Sequence, residues 1–170
     1  MSATLPTSNA SAAPDDPAKD VLQMLMVEHR EIKAMFLRYQ ALADAGRRGD
    51  ERMLLASHVC VALALHMRME EELLYPAARE VLPKDEDVVD EAYVEHAGAK
   101  TLIAQLKTMT SDQPLYDAKV KVLGEYIDHH IREEETEFFP KLRKTSLNLQ
   151  AMGQRLAARK KQLMAMPEPS

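Results

Sequence analysis

A segment that occurs twice along the chain constrains its fold more than any other feature of the sequence. One copy runs from His66 to Pro76 and the other from His130 to Pro140, and both read His-x3-Glu-Glu-x4-Pro. On a helix, residues four positions apart lie on one face, one turn apart, so the histidine and the first glutamate of each copy point to the same place. An imidazole and a carboxylate arranged in this way form half of a metal site.

The repeat extends upstream of both copies. Glu28-His29 precedes the first copy and Glu95-His96 precedes the second, so the order in each half is His followed by His-x3-Glu. Such an internal duplication is best interpreted before any local feature. Within each half, the two histidines are separated by about the length of two helices and a turn. The sequence therefore predicts that each half is one helical hairpin.

The composition agrees with a helical protein. A chain of 170 residues is the size of one domain, and its 46% hydrophobic and 29% charged residues are typical of a globular protein. Helix-forming residues dominate, and there are only 5 glycines. We predict an all-α fold, an up-and-down antiparallel four-helix bundle with a short C-terminal fifth helix.

Gly, Pro and capping residues predict the boundaries. Residues 1–16 are small, polar and proline-containing, and we expect a flexible tail there. The bundle is expected at 17–145 and the C-terminal amphipathic helix and tail at 146–170. The predicted caps are Asp16 for the first helix and Ser146 for the last. Pro76 and Pro140 each interrupt a long helical pattern, so we expect a kink or a lost hydrogen bond at both positions.

The ligand positions agree with the predicted turns. His29 lies as far before Gly46 as His66 lies after Gly49, so an antiparallel hairpin puts both imidazoles at one height. His96 and His130 flank the turn at 110–114 in nearly the same way. The four long helices are therefore predicted to deliver their polar residues to one layer, where neighbouring axes about 8–10 Å apart can share metal ions.

Six residues are the predicted metal ligands: His29, His66, Glu70, His96, His130 and Glu134. Two equivalent half-sites indicate two ions, one held by each histidine pair, with the two glutamates as bridges. Imidazole and carboxylate ligands suit iron, manganese or zinc and disfavour calcium and magnesium. A six-coordinate ion would keep positions for a bridging oxide or hydroxide and for an external ligand. Iron is therefore preferred, with manganese, or zinc in a hydrolase, as alternatives.

The motif set resembles the hemerythrin-like HHE cation-binding family. The resemblance covers roughly residues 17–145, and residues 152–160 are similar to the basic last helix of bacterial members. It implies a non-haem di-iron centre in an up-and-down four-helix bundle. It also implies binding or sensing of dioxygen, peroxide or nitric oxide, and iron sensing is a further family role.

The chain departs from the oxygen-carrying members in two places. Those proteins have a second histidine four residues after the third ligand, where this chain has Lys100, and a longer His-to-Asp spacing on the last helix, where it has His130-x3-Glu134. The pattern is closer to iron-sulfur-centre repair proteins and other bacterial members. Repair is a minority alternative because the repair proteins carry a cysteine-containing N-terminal domain. A sensor of this length would need a separate signalling partner.

The net charge and the number of cysteines limit the possible partners and the cellular compartment. The net charge is −5 with a pI near 5.7, which disfavours nucleic acid and anionic membranes as partners. No apolar run reaches the length of a transmembrane helix. Cys60 is the only cysteine and is expected to be a packed thiol, which agrees with a reducing compartment. We therefore expect a cytoplasmic protein, whose oligomeric state the sequence does not indicate.

The glutamates beside the candidate ligands have more ordinary interpretations. We expect a solvated helix face for Glu71, Glu72, Glu133 and Glu135, although Glu71 and Glu135 are also candidates for extra coordination. Glu28 and Glu95 are expected to form salt bridges on the helix surface rather than to support the ligand histidines from outside.

Other polar and aromatic residues leave smaller alternatives open. His129 with Glu133 has the same four-residue spacing as the predicted ligands, but only the His130 frame matches the proline and the apolar stripe of the first half. His58 is expected at the surface. Tyr93 or Tyr126, near His96 and His130, is a possible hydrogen-bond donor to an external ligand.

Three classes of function follow from these residues. The first is a di-iron protein that binds or senses dioxygen, peroxide or nitric oxide. The second is a di-iron enzyme with peroxidase or catalase-like activity at the same centre. The third is a helical interaction module that needs no metal.

Overall fold

The computed structural model describes residues 19–46 and 49–166, and within these ranges every regular element is a helix. Two π-helical turns, Glu70–Leu74 and Glu134–Phe138, each join two successive α-helices. The helices are α1 Val21–Asp44, α2 Asp50–Met69, α3 Tyr75–Val81, α4 Val88–Lys107, α5 Tyr116–Glu133, α6 Phe139–Arg143 and α7 Leu149–Ala165.

Four long rods and one shorter helix make up the architecture. The rods are α1, α2 with α3, α4, and α5 with α6, and short connections make successive rods antiparallel. Helix α7 packs against α1 and α2. The predicted all-α bundle with a C-terminal fifth helix is confirmed, whereas the predicted tail at 1–16 lies outside the described residues.

The caps of the first and last helices differ from the predicted ones. Helix α1 begins at Val21, where the Asp20 carboxylate accepts from the Gln23 backbone N–H at 2.9 Å and the Gln23 side chain accepts from the Asp20 N–H at 3.1 Å. Helix α7 is capped by Asn148, which accepts from the Ala151 N–H at 3.0 Å. The prediction at Ser146 was wrong because Asn148 places its side-chain oxygen over the free N–H groups of the first turn, and Asp16, the cap predicted for the first helix, lies outside the described residues.

Two of the four rods, α2 with α3 and α5 with α6, contain a proline, and each continues past it as a helix. In the first rod, the Tyr75 N–H donates to the Glu70 carbonyl, five residues back, so the turn is one residue wider than an α-helical turn. Pro76 then lies in the first turn of α3, where its missing N–H costs little. The second rod repeats this arrangement at Pro140.

The apolar core is divided into two parts by a polar layer. On α1, His29 lies between Leu25, which belongs to one cluster, and Ile32, which belongs to the other. Cys60 is buried in the second of these clusters, as predicted for a packed thiol. The stretch Asp50–Val81 is long and apolar enough to span a membrane, but half of its most apolar window is buried inside the bundle. The core helix of a globular bundle passes the same test, so this is weak support for a membrane span.

A close backbone approach fixes α7 against the start of α1. A Cβ atom added to Gly153 would lie 2.8 Å from the Lys19 carbonyl oxygen and 3.1 Å from the Val21 nitrogen. Both contacts are with backbone atoms, which cannot rotate away as a side chain can. On either side of this approach, Met152 and Leu156 are buried against the apolar residues of α1.

Replacing Gly153 with alanine is expected to destabilise the protein by about 1–3 kcal/mol, because α7 must move away from α1. Urea unfolding measures this change. The matched control is Gly98→Ala on α4, whose added Cβ would meet only the half-exposed ring of Tyr126. That control should be neutral or slightly stabilising, since alanine favours the helix by about 0.5–1 kcal/mol. Equal stability of the Gly153→Ala variant and the original protein would contradict the close approach.

Candidate metal centre

The structure brings the six predicted ligands together in the polar layer between the two core clusters. None of the six is more than 3% exposed. Each long rod contributes to the layer, and the residues are His29, His66, Glu70, His96, His130 and Glu134.

The four histidines form two pairs, matching the two hairpins. The Nε2 atoms of His29 and His66 are 3.2 Å apart, and those of His96 and His130 are 3.1 Å apart. Nitrogens at this separation can share one proton or bind one cation. Two ligands about 2.1 Å from one ion would be about 3.0 Å apart at a right angle and about 3.4 Å apart at a tetrahedral angle. The separation between His96 and His130 is nearer to the right-angle value, and that between His29 and His66 lies midway between the two values.

Two glutamates connect the histidine pairs. Glu70 places Oε1 3.2 Å from His66 Nε2 and Oε2 3.4 Å from His96 Nε2. Glu134 reaches across with one oxygen, because its Oε2 is 3.3 Å from His29 Nε2 and 3.6 Å from His130 Nε2. Each carboxylate therefore contacts one histidine of each pair, which is the arrangement needed for a bridge.

The donor set fits a pair of cations. Among the described residues, Glu70 Oε1 and Glu134 Oε2 are buried oxygens without a hydrogen-bond partner. Burying a carboxylate oxygen without a donor or a cation is costly, so these atoms call for a positive charge beside them. The potential ligand atoms of His29, His66, Glu70 and Glu134 lie within 4.8 Å of one another, as do those of Glu70, His96 and His130.

In the absence of cations, the carboxylates favour the protonated form of two of the imidazoles, those of His66 and His130. Burial lowers the pKa of His66, but Glu70 and Glu28 outweigh burial and raise that pKa to about 10. The pKa of His130 rises to about 9, because Glu134 and Glu95 outweigh burial there. Only neutral imidazole coordinates a metal, so metal binding must displace these protons at neutral pH.

A second set of four carboxylates holds the ligand histidines from outside. Each carboxylate accepts a hydrogen bond from the Nδ1–H group of one imidazole. The Nε2 atom of that imidazole therefore faces the centre. The contacts are His29 with Glu135 at 2.8 Å, His66 with Glu28 at 2.8 Å, His96 with Glu71 at 2.9 Å, and His130 with Glu95 at 2.6 Å.

This outer set corrects two expectations from the sequence. Glu28 and Glu95 do not merely form surface salt bridges, and Glu71 and Glu135 belong neither to a solvated face nor to the six inner residues. All four are long side chains on positions beside a ligand, and they reach across to a histidine of a neighbouring rod. The sequence does carry a signal for them, since a Glu before the first histidine and a Glu-Glu pair after the second occur in both halves.

One tyrosine hydroxyl enters the centre, and it is not one of the two that the sequence suggested. The Tyr75 hydroxyl lies 3.0 Å from Glu134 Oε1, 3.4 Å from Glu70 Oε2 and 3.2 Å from His96 Nε2. Burial, together with Glu134 and Glu70, raises the pKa of Tyr75 well above its usual value. Tyr93 packs edge-on against the Tyr75 ring, and the Arg79 guanidinium lies over the Tyr93 ring, 5.3 Å from its centroid.

The other suggested donor, Tyr126, lies half-exposed over Gly98. The residue equivalent to Tyr75 in the second half is Phe139, whose ring stacks on His29 at 5.8 Å between centroids. The two halves of the centre are therefore chemically different at this position, with a hydroxyl in one half and a hydrocarbon ring in the other.

The remaining candidates lie outside the polar layer. His129 is half-exposed and contacts Glu133 at 3.0 Å and Glu95 at 3.3 Å, so the shifted frame faces the surface. His58 is exposed, as expected, and lines a surface cavity beside His66.

Comparison with known proteins points to one family. The sequence matches the family described as Hemerythrin HHE cation binding domain over residues 20–142. It is 26% identical over 129 residues to the uncharacterized protein Rv2633c of Mycobacterium tuberculosis, covering 74% of this chain and 78% of that protein. A DNA nickase from Nostoc sp. is 23% identical over 129 residues, covering 76% of this chain but only 35% of the nickase. The chain thus spans about a third of the nickase's length.

A solved structure has the same fold. The crystal structure of a hemerythrin HHE cation binding domain-containing protein, the Rv2633c homolog from Mycobacterium kansasii, superposes with a TM-score of 0.69 at 23% sequence identity. The match covers 85% of this chain and 86% of that chain.

Proposed function

Because this chain belongs to the hemerythrin HHE cation-binding domain family, we propose that its six inner residues hold two iron ions and that the centre binds or senses dioxygen, peroxide or nitric oxide. One observation carries the proposal. Two imidazole pairs, with Nε2 atoms 3.1–3.2 Å apart, surround two shared carboxylates that retain buried oxygens without a hydrogen-bond partner. His29 and His66 would hold one ion, and His96 and His130 the other.

Iron is preferred to zinc because binding of an external ligand needs an open coordination position. Two imidazoles and two bridging oxygens give each ion four protein donors, which completes the preferred coordination of zinc but leaves positions open on a six-coordinate ion. When bound, a pair of iron ions would supply open positions and one-electron chemistry, and manganese is the alternative that shares these properties.

Burial and charge restrict the external ligand. The six inner residues are at most 3% exposed, so a molecule that reaches them must be small. Four outer and two inner carboxylates surround the centre, and their six negative charges equal or exceed the charge of two bound iron ions, so no excess positive charge attracts an anionic ligand. Small neutral molecules such as dioxygen, hydrogen peroxide and nitric oxide meet both conditions.

The second candidate function is a peroxidase or catalase-like activity at the same centre. Tyr75 favours it, because this hydroxyl contacts both bridging carboxylates and can donate a proton to a bound ligand. DNA cleavage is not part of the proposal. A net charge of −5 disfavours a polyanion, and the matching region is a minor part of the nickase.

Metal analysis followed by rapid mixing tests the proposal. Protein supplied with ferrous iron is expected to contain about two iron ions per chain and, after oxidation by air, to absorb in the near ultraviolet and visible range. The reduced protein is then mixed separately with dioxygen, hydrogen peroxide and nitric oxide in a stopped-flow spectrometer. A spectrum that reverts when the ligand is removed indicates binding, and continuous consumption of peroxide indicates turnover. A colourless protein that takes up only zinc and responds to none of the three would refute the proposal.

A further inference from the structure

A side chain of the last helix reaches the metal centre through one carboxylate. Lys160 of α7 donates to Glu28 Oε1, while Glu28 Oε2 accepts from His66 Nδ1 at 2.8 Å. Both oxygens of Glu28 are thus engaged, one by each partner. The carboxylate cannot rotate without breaking a contact, so Lys160 restricts the residue that orients the imidazole of His66.

A surface cavity lies beside the contact between Lys160 and Glu28, so this contact affects whether water reaches His66. A cavity of about 340 Å³ lies between α1, α2 and α7, and Glu28, His66 and Lys160 are among its lining residues. Its remaining wall is largely apolar, including Ile32 and Leu65. Water in this cavity would meet the His66–Glu28 hydrogen bond, and the Lys160 side chain forms part of the cavity wall beside that bond.

The rest of α7 holds Lys160 in place. Leu156, one turn earlier, is fully buried in the core. The neighbouring Arg159 forms two contacts with Glu72, at 2.6 and 3.2 Å, on the rod that also carries His66. Lys160 is therefore presented by an anchored helix, and its position depends on the docking of α7 as a whole.

The outer carboxylates are not all supported in this way. Glu71, which holds His96, receives Lys100 of α4 at 2.6 and 2.7 Å. Glu95, which holds His130, contacts His129 instead of a lysine. Lys160 is thus the basic side chain through which α7 acts on the centre, and Lys100 provides an internal comparison on a different rod.

We propose that Lys160 is a positioning residue that couples the docking of α7 to the ion held by His29 and His66. The inference rests on the proposed metal centre. Lys160 fixes Glu28, Glu28 fixes the His66 ring, and the ring presents Nε2 to the ion. Anything that draws α7 away from the bundle would release Glu28 and loosen that ion, while the ion held by His96 and His130 would keep its support.

The test uses the full chain loaded with Co(II), in which imidazole N–H protons of ligand histidines give strongly shifted proton NMR signals. In the Lys160→Met variant we expect one of these signals to exchange with water about tenfold faster, and one of the two ions to leave about tenfold faster to a chelator. Both effects should be largely absent from Lys160→Arg, because arginine keeps a positively charged donor at this position. A merely structural role for Lys160 would not single out one histidine signal.

Two matched variants make the result decisive. Lys161→Met alters the next residue of α7, for which the described contacts include none with the outer carboxylates, and should change neither measurement. Lys100→Met should affect a different histidine signal. Unchanged exchange and release in Lys160→Met, or the same changes in Lys161→Met, would overturn the proposal for Lys160. Absence of shifted signals in the unmodified protein would instead refute the metal centre itself.

Discussion

The Glu134→Ala variant is expected to lose both metal ions. Glu134 Oε2 lies 3.3 Å from His29 Nε2 and 3.6 Å from His130 Nε2, so its removal takes one donor from each proposed ion. We expect the affinity for each ion to fall by more than about 100-fold, so that desalting into metal-free buffer removes both ions, since loss even of an outer partner of a metal ligand weakens affinity by about 10- to 100-fold. Elemental analysis after desalting measures this directly.

Loss of the ions should also lower the stability of the fold. A ligand present at about 1,000 times its dissociation constant stabilises the native state by about 4 kcal/mol, and this contribution disappears with the ions. The control is Glu137→Ala, three residues further along the same rod, where the side chain is exposed. The control should keep both its iron and its unfolding midpoint. Full iron content in Glu134→Ala would contradict a bridging role for this carboxylate.

The inner residues could be found from the sequence because their spacing and the turns are set by backbone geometry. A His-x3-Glu pair shares one helical face whatever surrounds it, and short connections force successive rods to run antiparallel. His29 and His66 therefore meet because they are equally far from the turn between them. Duplication of the motif then places the second pair beside the first.

The outer carboxylates were misinterpreted because helical periodicity gives the direction of a Cα–Cβ bond but not the position of the carboxylate at the end of a long side chain. Glu28 immediately precedes His29, about 100° further round the helix, and so has a position that normally faces solvent. Its side chain is long enough to bend back to His66 on the next rod. The cost of leaving a buried imidazole N–H unpaired favours that contact over hydration.

The position of Tyr75 could not be predicted because it depends on a change of helical geometry. On an α-helix, a residue five positions after Glu70 is rotated well away from the face that carries Glu70. The π-helical turn widens the rod by one residue, so that Tyr75 and Glu70 come to the same side, with the hydroxyl 3.4 Å from Glu70 Oε2. Pro76 indicates from the sequence that the helix is altered here, but it does not indicate which side chain the π-helical turn moves inward.

In the proposed metal-loaded centre, Tyr75 would be the proton donor that faces inward. The four ligand imidazoles hold their Nδ1 protons against outer carboxylates, and ions on the Nε2 atoms would leave those rings with no proton facing inward. Among the side chains described around the centre, the Tyr75 hydroxyl then remains able to donate to an external ligand. Phe139 provides no such group in the other half, so the donor lies beside His96 and not beside His29.

Replacing Tyr75 with phenylalanine is therefore expected to slow the reaction of the iron-loaded protein with hydrogen peroxide by about 100-fold, the lower end of the effect of a positioned acid or base. The iron content should stay the same, because the six inner residues are retained. Stopped-flow absorbance under excess peroxide gives the rate. Tyr93→Phe is the matched control, since that ring packs on Tyr75 and no contact joins its hydroxyl to the six inner residues in the part of the chain that is described. An unchanged peroxide rate in Tyr75→Phe, at full iron content, would show that the proton comes from elsewhere, and an equal loss in Tyr93→Phe would assign the effect to ring packing.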